Sequence, residues 1–569
     1  MEHIAVIASF AIRLAEPFLA LIVIVMAFSS LRGGRRDEHA LIVLENERDN
    51  ITFPVLYWEN SIGRSRSSDI KLSDPTVSRD HAVLLRRNDG WFVTDTGSRS
   101  GVYVNGERTV GRHQVAVGDI ITCGTTSLVL RRASDTGAAE PRHERKIFPQ
   151  SIILSFVTLY TALLVLQAVI NMGNTDAVTP GIVFIVVIWL YFAISRAAFK
   201  RLNFELESLA MLLSGTGIIL AASHDTRQAY MQLGAMVLGL FIYSFMLWFI
   251  EIPDRVMKWH IAISVLTLLL LASTLVIGKS VNGAKNWIII GPLSVQPSEF
   301  AKIAYIFVGA STLDVLQTKK SLAAFIFVSA ASVGCLVLMS DFGTAVIFFV
   351  TFLIIAFMRS GDIKTVILAI TAAGLGILTM LSVKPYIAER FAAWGHVWDY
   401  ADVAGGYQQV RSLIYSASGG LFGVGLSKGY LQYVFASEND LVFCLMCEEL
   451  GCIIALLCAF VIGGLMLYAR AVTTRSRSTF YSIAACSAGG LLVFQAALNI
   501  FGVTDILPLT GVTFPFVSYG GTSMAACWGI LAFIKSADER TYARHKPKQK
   551  KQKIKSRRTE EYEEDYVEI

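Results

Sequence analysis

Charged side chains at the edges of long apolar stretches are the residues of this chain that could do chemistry. Carboxylates at membrane depth are costly and usually serve a function, and a positioned carboxylate can accept the proton of a hydroxyl nucleophile. Six residues have this setting: Glu299, Lys302, Asp341, Asp440, Glu448 and Glu449.

Structural roles are open alternatives for some of these residues. Glu299 and Lys302 are three apart, so on a helix they can simply pair with each other. Asp341 and Asp440 have no local partner in the sequence. For Glu448-Glu449 three roles stay open besides direct chemistry: orienting the preceding loop, holding a cation or capping a helix.

The elements that position these residues are predicted to be membrane helices. Hydrophobic residues make up 54% of the 569 residues and charged residues only 17%, against about 25% charged in ordinary globular proteins. This balance excludes a disordered, collagenous or disulfide-rich secreted chain. A bilayer span needs about 20 apolar residues. The runs predict an anchor within residues 1–36 and about twelve spans within 148–536, including Thr365–Val383 and Ile506–Ile534.

Basic loops predict the orientation of these spans. If residues 37–135 lie in the cytoplasm, every Lys/Arg-rich loop also falls there, as does the tail 537–569. Residues 540–558 of that tail hold ten Lys/Arg and no acid, a pattern typical of a topology signal and not of nucleic-acid binding. The N-terminus is then outside. Lys279–Ser298, the turn at Asp341 and Lys384–Asp440 also face outward.

Residues 37–135 are predicted to form a soluble all-β sandwich. Short apolar runs such as Val83–Leu85, Trp91–Thr94 and Ser127–Leu130 alternate with turn signals such as Asn105-Gly106, which favours a sandwich of short strands. A polar linker, 136–147, connects it to the first span of the core. The predicted fold class is therefore a polytopic α-helical membrane protein with an inserted cytoplasmic β-sandwich.

Motifs in residues 280–535 resemble the SEDS family (FtsW, RodA and SpoVE). They occur in the family's order: Gly283–Trp287, Gln296–Lys302, Asp341–Ala345, Tyr407-Gln408, Ser418–Gly425, Asn439–Phe443, Glu448–Gly451 and Pro515–Ser523. The resemblance implies polymerisation of lipid II, a membrane lipid, into glycan strands at the outer face of the plasma membrane. It also implies a single-pass class B penicillin-binding transpeptidase as partner.

The resemblance assigns Asp440 as the catalytic base. Asp440 would take the proton from a sugar hydroxyl that attacks the anomeric carbon of another lipid II, with inversion. Glu299 and Asp341 match other functional positions. Lys302, Arg390 and Arg411 are expected to stabilise the departing pyrophosphate, and a divalent cation, Mg²⁺ or Mn²⁺, is an open alternative.

Two other interpretations concern the membrane region. Intramembrane charges and broken helices are also typical of a lipid II flippase, and a non-catalytic division or cell-shape scaffold is a further alternative. Cys444 and Cys447 have the spacing of a metal-binding pair, but neither a second pair nor a His cluster completes a zinc site, so no metal site is predicted there.

The β-sandwich resembles a forkhead-associated (FHA) domain through Gly63-Arg64, Ser78–His81 and Asn105-Gly106. Such a domain binds phosphothreonine, which implies a phosphorylated partner and a Ser/Thr kinase. Arg64 and Ser78 would contact the phosphate and Arg79 would add charge. His81 is expected to support the loop from the core. Ser100 stands where the family has an Asn that reads the peptide backbone, so a docking module without phosphate binding stays an alternative.

Overall fold

The computed structural model describes residues 2–33, 42–132, 148–371 and 394–541, apart from short internal gaps. The gaps are 50, 56–58, 66–67, 88–89, 173–174, 200–202, 282–283, 292, 312–318, 361–362, 365, 403, 474–478 and 539–540. The linker 136–147, most of Thr365–Val383 and nearly all of the basic and acidic tail lie outside the described residues.

Long apolar helices dominate the described chain. Eight of them are long and apolar enough to cross a membrane, and the stretches Ala323–Leu338 and Phe342–Met358 are shorter apolar helices. The helices are α1 (Glu2–Gly33), α2 (Gln150–Met172), α3 (Val178–Ala197), α4 (Glu205–His224), α5 (Thr226–Phe249), α6 (Pro253–Ile277), α7 (Pro297–Ser311), α8 (Lys319–Leu338), α9 (Phe342–Ser360), α10 (Ala404–Gly419), α11 (Val442–Glu449), α12 (Cys452–Thr473), α13 (Thr479–Val503) and α14 (Gly521–Ala537).

The prediction of a single span over Ile506–Ile534 was wrong. Helix α14 begins only at Gly521, and residues 506–520 form a non-helical segment with positive φ angles at Gly511 and Phe516. Pro508 and Pro515 explain the interruption, because proline lacks the N–H that a helix interior needs. Irregular backbone at membrane depth is tolerated where protein groups satisfy it, and one of the side chains that do so here, Asn499, also bonds to Asp440 O.

Helix α4 is the centre of the membrane region. Its apolar stretch is completely buried, because α1, α2, α3 and α5 pack around it together with α12 and α14. Helix α1 packs closely enough for Val23 and Ala27 to be fully buried. The first helix is therefore part of the helical core, and the chain passes from it directly into the β-sandwich.

The strands of the sandwich are β1 (Ile42–Asn46), β2 (Thr52–Val55), β3 (Glu59–Gly63), β4 (Ile70–Lys71), β5 (Ala82–Arg87), β6 (Gly90–Asp95), β7 (Val102–Val104), β8 (Glu107–Arg108), β9 (Arg112–Val115), β10 (Ile120–Cys123) and β11 (Thr126–Arg132). They form two sheets, ordered β2-β1-β11-β10-β7-β8 and β4-β3-β5-β6-β9. Alternate residues such as Leu84, Val93 and Leu128 fill a core between the sheets. The predicted sandwich and its Asn105-Gly106 turn, where both φ angles are positive, are confirmed.

A small three-stranded sheet precedes α7. It consists of β12 (Lys279–Val281), β13 (Ala284–Ile290) and β14 (Leu293–Val295), paired in the order β12-β13-β14. The motif residues Gly283–Trp287 lie mostly on β13, and Gln296 follows β14. This sheet therefore places polar side chains beside the start of α9.

Candidate active site

Asp440 lies at the end of the loop between α10 and α11 and is partly exposed. Its main-chain N–H donates to Ala436 O at 2.9 Å, and its carboxylate points towards Gly511. A Cβ atom at Gly511 would lie 3.3 Å from Asp440 Oδ2, and the φ of Gly511 is +67°. Only glycine takes this backbone conformation readily, so Gly511 allows the irregular 506–520 segment to pass close to the carboxylate.

Two polar side chains of α13 connect this segment to its surroundings. Asn499 Nδ2 donates to Asp440 O at 2.8 Å and to Val512 O at 2.7 Å. One turn earlier, Gln495 Nε2 donates to Thr513 O at 3.0 Å. Residues four apart lie on one helix face, so a single face of α13 fixes the 506–520 segment and the backbone of Asp440.

The motif at Pro515–Ser523 supports the same loop from the other side. Ser518 Oγ donates to Asn439 O at 2.7 Å, and Tyr519 N donates to Glu438 O at 2.9 Å. Gln232 of α5 in turn donates to Ser518 O at 2.8 Å. The residues immediately before Asp440 are thus held by main-chain and side-chain hydrogen bonds.

Glu299 and Lys302 form the pair that their spacing allows. Lys302 Nζ lies 2.7 Å from Glu299 Oε1 and donates to Gln495 Oε1 at 3.0 Å, and Lys302 is only 1% exposed. A buried and doubly bonded ammonium is badly placed to meet a pyrophosphate. The expectation that Lys302 stabilises the leaving group therefore does not fit this geometry, whereas a supporting role through Gln495 does.

Asp341 has side-chain partners that are distant in the sequence, in line with the absence of a local one. Its Oδ1 accepts from Thr344 N at 3.2 Å, which caps the N-terminus of α9. Its Oδ2 accepts from Asn286 at 3.3 Å and Gln296 at 3.2 Å. The start of α9 packs on residues 510–512 through Gly343, so Asp341 supports the segment that faces Asp440.

Glu448 and Glu449 are buried at the end of α11 and hold the preceding loop. Glu448 accepts from Tyr430 N at 2.7 Å and from Leu431 N at 2.9 Å. Glu449 accepts from Ser427 N at 3.1 Å and contacts His224 Nε2 at 2.8 Å. Of the roles left open by the sequence, this geometry fits the orientation of the loop.

Two arginines, Arg411 and Arg390, were also predicted to stabilise the departing pyrophosphate. Arg411 lies on α10, partly exposed, with its guanidinium carbon 5.3 Å from the Tyr407 ring centre. Arg390 lies outside the described residues. Within the described part of the chain, no group of three or more His, Cys, Asp and Glu side chains could hold a metal ion.

The predicted phosphate-binding residues lie on three loops of the sandwich that hydrogen-bond to one another. Arg64 N donates to Ser78 O at 3.0 Å, and Arg99 N donates to Ser78 Oγ at 3.1 Å. Ser100 Oγ donates to Thr76 O at 3.3 Å. The side chains of Arg64 and Arg79 are exposed. The loops that carry Arg64, Ser78 and Arg79 are thus joined to one another, and guanidinium and hydroxyl groups are the donors that a phosphate requires.

Two polar side chains, one buried and one partly exposed, keep these loops in place. His81 is fully buried, accepts from Ser78 N at 3.0 Å and contacts Gly101 O at 3.1 Å, which confirms the prediction that it supports the loop. Asp74 accepts from the hydroxyls of Thr125, Thr126 and Thr76. Hydrogen bonds, first from Thr125 and then from Thr76, hold the pKa of Asp74 well below its usual value.

The sandwich also contacts the membrane helices. Glu59 Oε2, at the start of β3, accepts from Thr479 N at 2.9 Å and from Thr479 Oγ1 at 2.7 Å. Thr479 is the first residue of α13, so the carboxylate of Glu59 caps that helix and meets the positive end of its dipole. Strand β3 ends at Gly63, directly before Arg64. One strand therefore connects the phosphate-binding loop to α13.

Sequence reasoning missed Gln495, Asn499 and Gln232. The only signal was their polarity inside otherwise apolar runs. Their role depends on carbonyl groups of residues 512–518, which the apolar run places within one span, although the proline and glycines of Pro515–Gly521 indicate irregular backbone there.

Both the membrane region and the β-sandwich are similar to known protein families. A model of the FtsW, RodA and SpoVE family, described as cell cycle proteins, matches residues 202–543, and an FHA domain model matches residues 60–124. The "Probable peptidoglycan glycosyltransferase FtsW" of Saccharophagus degradans is 32% identical over 373 residues, which span 60% of this chain and 93% of the relative. The "Peptidoglycan glycosyltransferase RodA" of Mycobacterium tuberculosis is 26% identical over 422 residues, or 67% of this chain and 88% of the relative.

A solved structure shares the fold of the membrane region. The matching protein was solved in work on "polymerization and crosslinking by a peptidoglycan synthase complex". It aligns with a TM-score of 0.50 and 24% identity, and the alignment covers 60% of this chain and 99% of the matching protein. The family model covers well over half of the residues and includes every motif from β13 to α14. The chain belongs to the FtsW, RodA and SpoVE family of cell cycle proteins and carries an FHA domain between its first two membrane helices.

Proposed function

We propose that this protein is an inverting glycosyltransferase that polymerises lipid II at the outer face of the plasma membrane. The observation that carries the proposal is Asp440, a partly exposed carboxylate whose backbone is fixed by Asn499 beside the irregular 506–520 segment. A rigidly held carboxylate next to apolar helices suits a sugar carried on a lipid. The relatives named as peptidoglycan glycosyltransferases support the reaction class.

In the proposed reaction Asp440 accepts the proton of an acceptor sugar hydroxyl as its oxygen attacks the anomeric carbon of a second lipid II. The new glycosidic C–O bond forms while the C–O bond to the pyrophosphate breaks, and undecaprenyl pyrophosphate leaves. Attack from the face opposite the leaving group inverts the anomeric carbon. General base catalysis of this kind contributes about 10²- to 10⁴-fold to the rate. Arg411, on α10, is a candidate for stabilising the leaving group. Arg390, which lies outside the described residues, is a second candidate.

The supporting residues act through the backbone around Asp440. Asn499, Gln495 and Ser518 fix the loop and the 506–520 segment directly. The buried Glu299–Lys302 pair fixes Gln495, and Asp341 fixes the start of α9 against residues 510–512. Removal of any of them should lower turnover by misplacing Asp440, because displacements of about 1 Å can cost about 100-fold in rate.

The FHA domain is proposed to regulate this activity from the cytoplasm. Arg64, Ser78 and Arg79 would bind a phosphothreonine made by a Ser/Thr kinase, with the N-terminus outside and the tail 537–569 inside. The Glu59–Thr479 contact supports this proposal, since it connects the strand before Arg64 to the helix that carries Asn499. A class B penicillin-binding transpeptidase is the proposed partner on the outer side.

The test is polymerisation of labelled lipid II by purified full-length protein, alone and with a class B transpeptidase, resolved as glycan ladders on a gel. Asp440→Asn is compared with Asp399→Asn, which changes an exposed aspartate of the same external loop. Ladders from wild type and the control but not from Asp440→Asn support the proposal. Equal ladders from all three overturn the role of Asp440.

A result without ladders from any sample, even with the partner, would overturn the polymerase. Lipid II movement between the leaflets of vesicles would then be measured, because flippase or scaffold activity would become the better explanation.

A further inference from the structure

Two helices that precede the family-matched segment reach the loop in front of Asp440. Helices α1 and α2 end before residue 202, where the match begins. Arg13 of α1 nevertheless donates to Gly423 O at 2.6 Å, and Asn171 of α2 donates to Leu426 O at 3.2 Å. Ser9 Oγ donates to Asn171 Oδ1 at 2.9 Å, so α1 also orients the amide of Asn171.

The loop needs support from outside its own sequence. Gly420, Gly423 and Gly425 have φ angles of +56°, +74° and +107°. Glycines in this region give the unconstrained chain many alternative conformations. One side of the loop is bonded to α11, where Val424 N donates to Glu448 O at 2.8 Å and Gly425 N donates to Glu449 O at 3.0 Å. Arg13 and Asn171 bond the other side.

The loop leads directly to Asp440. Its 3-10 turn, Leu431–Tyr433, is held by the Glu448 carboxylate, and Gln408 of α10 donates to Phe435 O at 2.8 Å. Ala436 O then accepts the main-chain N–H of Asp440 at 2.9 Å. A shift of residues 423–426 is therefore passed on along a short chain of bonded residues to Asp440.

A purely anchoring helix would not need Arg13. The residue lies within the candidate span Val6–Arg32, where an arginine is costly and usually functional. Its guanidinium lies 5.5 Å from the Phe10 ring centre, which restricts its orientation. A charge-assisted hydrogen bond to a main-chain oxygen is stronger than a neutral one, and it is formed here with a loop 410 residues away in sequence.

We propose that Arg13 and Asn171 are positioning residues for the loop of residues 419–434, and through it for Asp440. The helices added before the family core thus complete the site. This inference rests on the proposed glycosyltransferase function.

The test uses full-length protein with Arg13→Ala, Arg13→Lys, Asn171→Ala and the double variant Arg13→Ala/Asn171→Ala. Arg32→Ala, an exposed arginine at the other end of α1, is the matched control. Hydrogen–deuterium exchange of residues 419–434 reports on the loop, and initial rates at varied lipid II concentration give kcat and KM.

Arg13→Ala should raise exchange in residues 419–434 more than in α1 and lower kcat at least tenfold with little change in KM. Arg13→Lys should recover most of both, because lysine can still donate to Gly423 O. The double variant should lose less than the product of the single losses, because both residues act through one loop. A residue that only stabilised the fold would instead raise exchange across α1 and α2 and lower the apparent melting temperature.

Unchanged loop exchange together with unchanged kcat in both single variants would overturn the inference. Independent, multiplicative losses without added loop exchange would also do so. If wild type makes no polymer, the proposed function fails, whereas the exchange experiment still decides whether Arg13 and Asn171 order the loop.

Discussion

Asn499 donates one side-chain amide to the main-chain oxygens of both Asp440 and Val512. Asn499 is 2% exposed, so its amide is shielded from competing water. The bond pair joins a helix, the loop that ends at Asp440 and the irregular segment that faces its carboxylate.

Asn499→Leu should lower kcat for lipid II polymerisation by about 100-fold, because both oxygens lose their donor and Asp440 shifts. Steady-state kinetics check the loss. Ser487→Ala is the control on the same helix, since among the described residues the hydroxyl of Ser487 bonds to Ile483 O in its own turn. A normal kcat in Asn499→Leu would show that the backbone of Asp440 is fixed by other contacts.

Lys302→Met should destabilise the fold more than the double variant Glu299→Gln/Lys302→Met. The single change leaves Glu299 buried without its partner, which costs about 3–5 kcal/mol, whereas replacing both charged groups removes most of that cost. Apparent melting temperatures in one detergent give the order. A double variant as unstable as the single one would contradict this explanation.

Arg64→Ala should weaken binding of phosphothreonine peptides by about 30-fold or more, since a lost charge-assisted contact costs about 2 kcal/mol or more. Fluorescence anisotropy with phosphorylated and unphosphorylated peptide libraries measures it on the full-length protein. Arg132→Ala is the control, because Arg132 is an exposed arginine at the C-terminal end of β11. The other end of that strand, Thr126, is the one that contacts Asp74. Equal binding of both peptide forms by wild type would identify the domain as a docking module.

Asp74→Asn should weaken the same peptide binding by a factor that does not change between pH 5 and pH 8. The hydrogen bonds from threonines lower the pKa of Asp74 below its usual 3.8. Their stabilising contribution is therefore present above pH 3.8 and is lost only as the pH falls through the lower folded pKa. The ratio of the two affinities is the readout, so titration of the peptide phosphate cancels. A ratio that approaches one at pH 5 would contradict the assignment.

Glu59→Gln should uncouple peptide binding from polymerisation. In wild type a bound phosphothreonine peptide is expected to change the polymerisation rate, and the variant should bind the peptide normally with a much smaller rate change. Glu107→Gln, on the exposed strand β8, is the control. The same rate change in Glu59→Gln as in wild type would exclude the Thr479 contact as the connection.

Much of the fold could be predicted because the membrane and the sandwich impose simple patterns. Apolar runs located α1 to α9 and α12 to α13, and turn residues such as Asn105-Gly106 separated the strands. The same rule failed over Ile506–Ile534, where the apolar run was counted as one span and its first part, residues 506–520, is non-helical. Hydropathy measures transfer to lipid, and it does not register that Asn499 and Ser518 satisfy backbone groups from elsewhere in the fold.

The candidate site was predictable in its charged residues but not in their partners. Spacing alone indicated the Glu299–Lys302 pair. The partners of Asp341 come from β13 and Gln296, and those of Glu448 come from a loop 17 residues and more before it. Such contacts depend on how segments distant in the sequence pack together, which local sequence does not encode.

Helix α13 contacts the FHA domain near one end and the backbone of Asp440 near the other, which has a thermodynamic consequence. About 30 Å separate Thr479 from Asn499 along its axis, so a single rigid element connects the FHA domain with the proposed site at Asp440. Any coupling free energy between the two is reciprocal. If a cytoplasmic phosphopeptide tightens lipid II binding by some factor, external lipid II must tighten phosphopeptide binding by the same factor. The protein would then report the supply of wall precursor outside the cell to the kinase signalling within it.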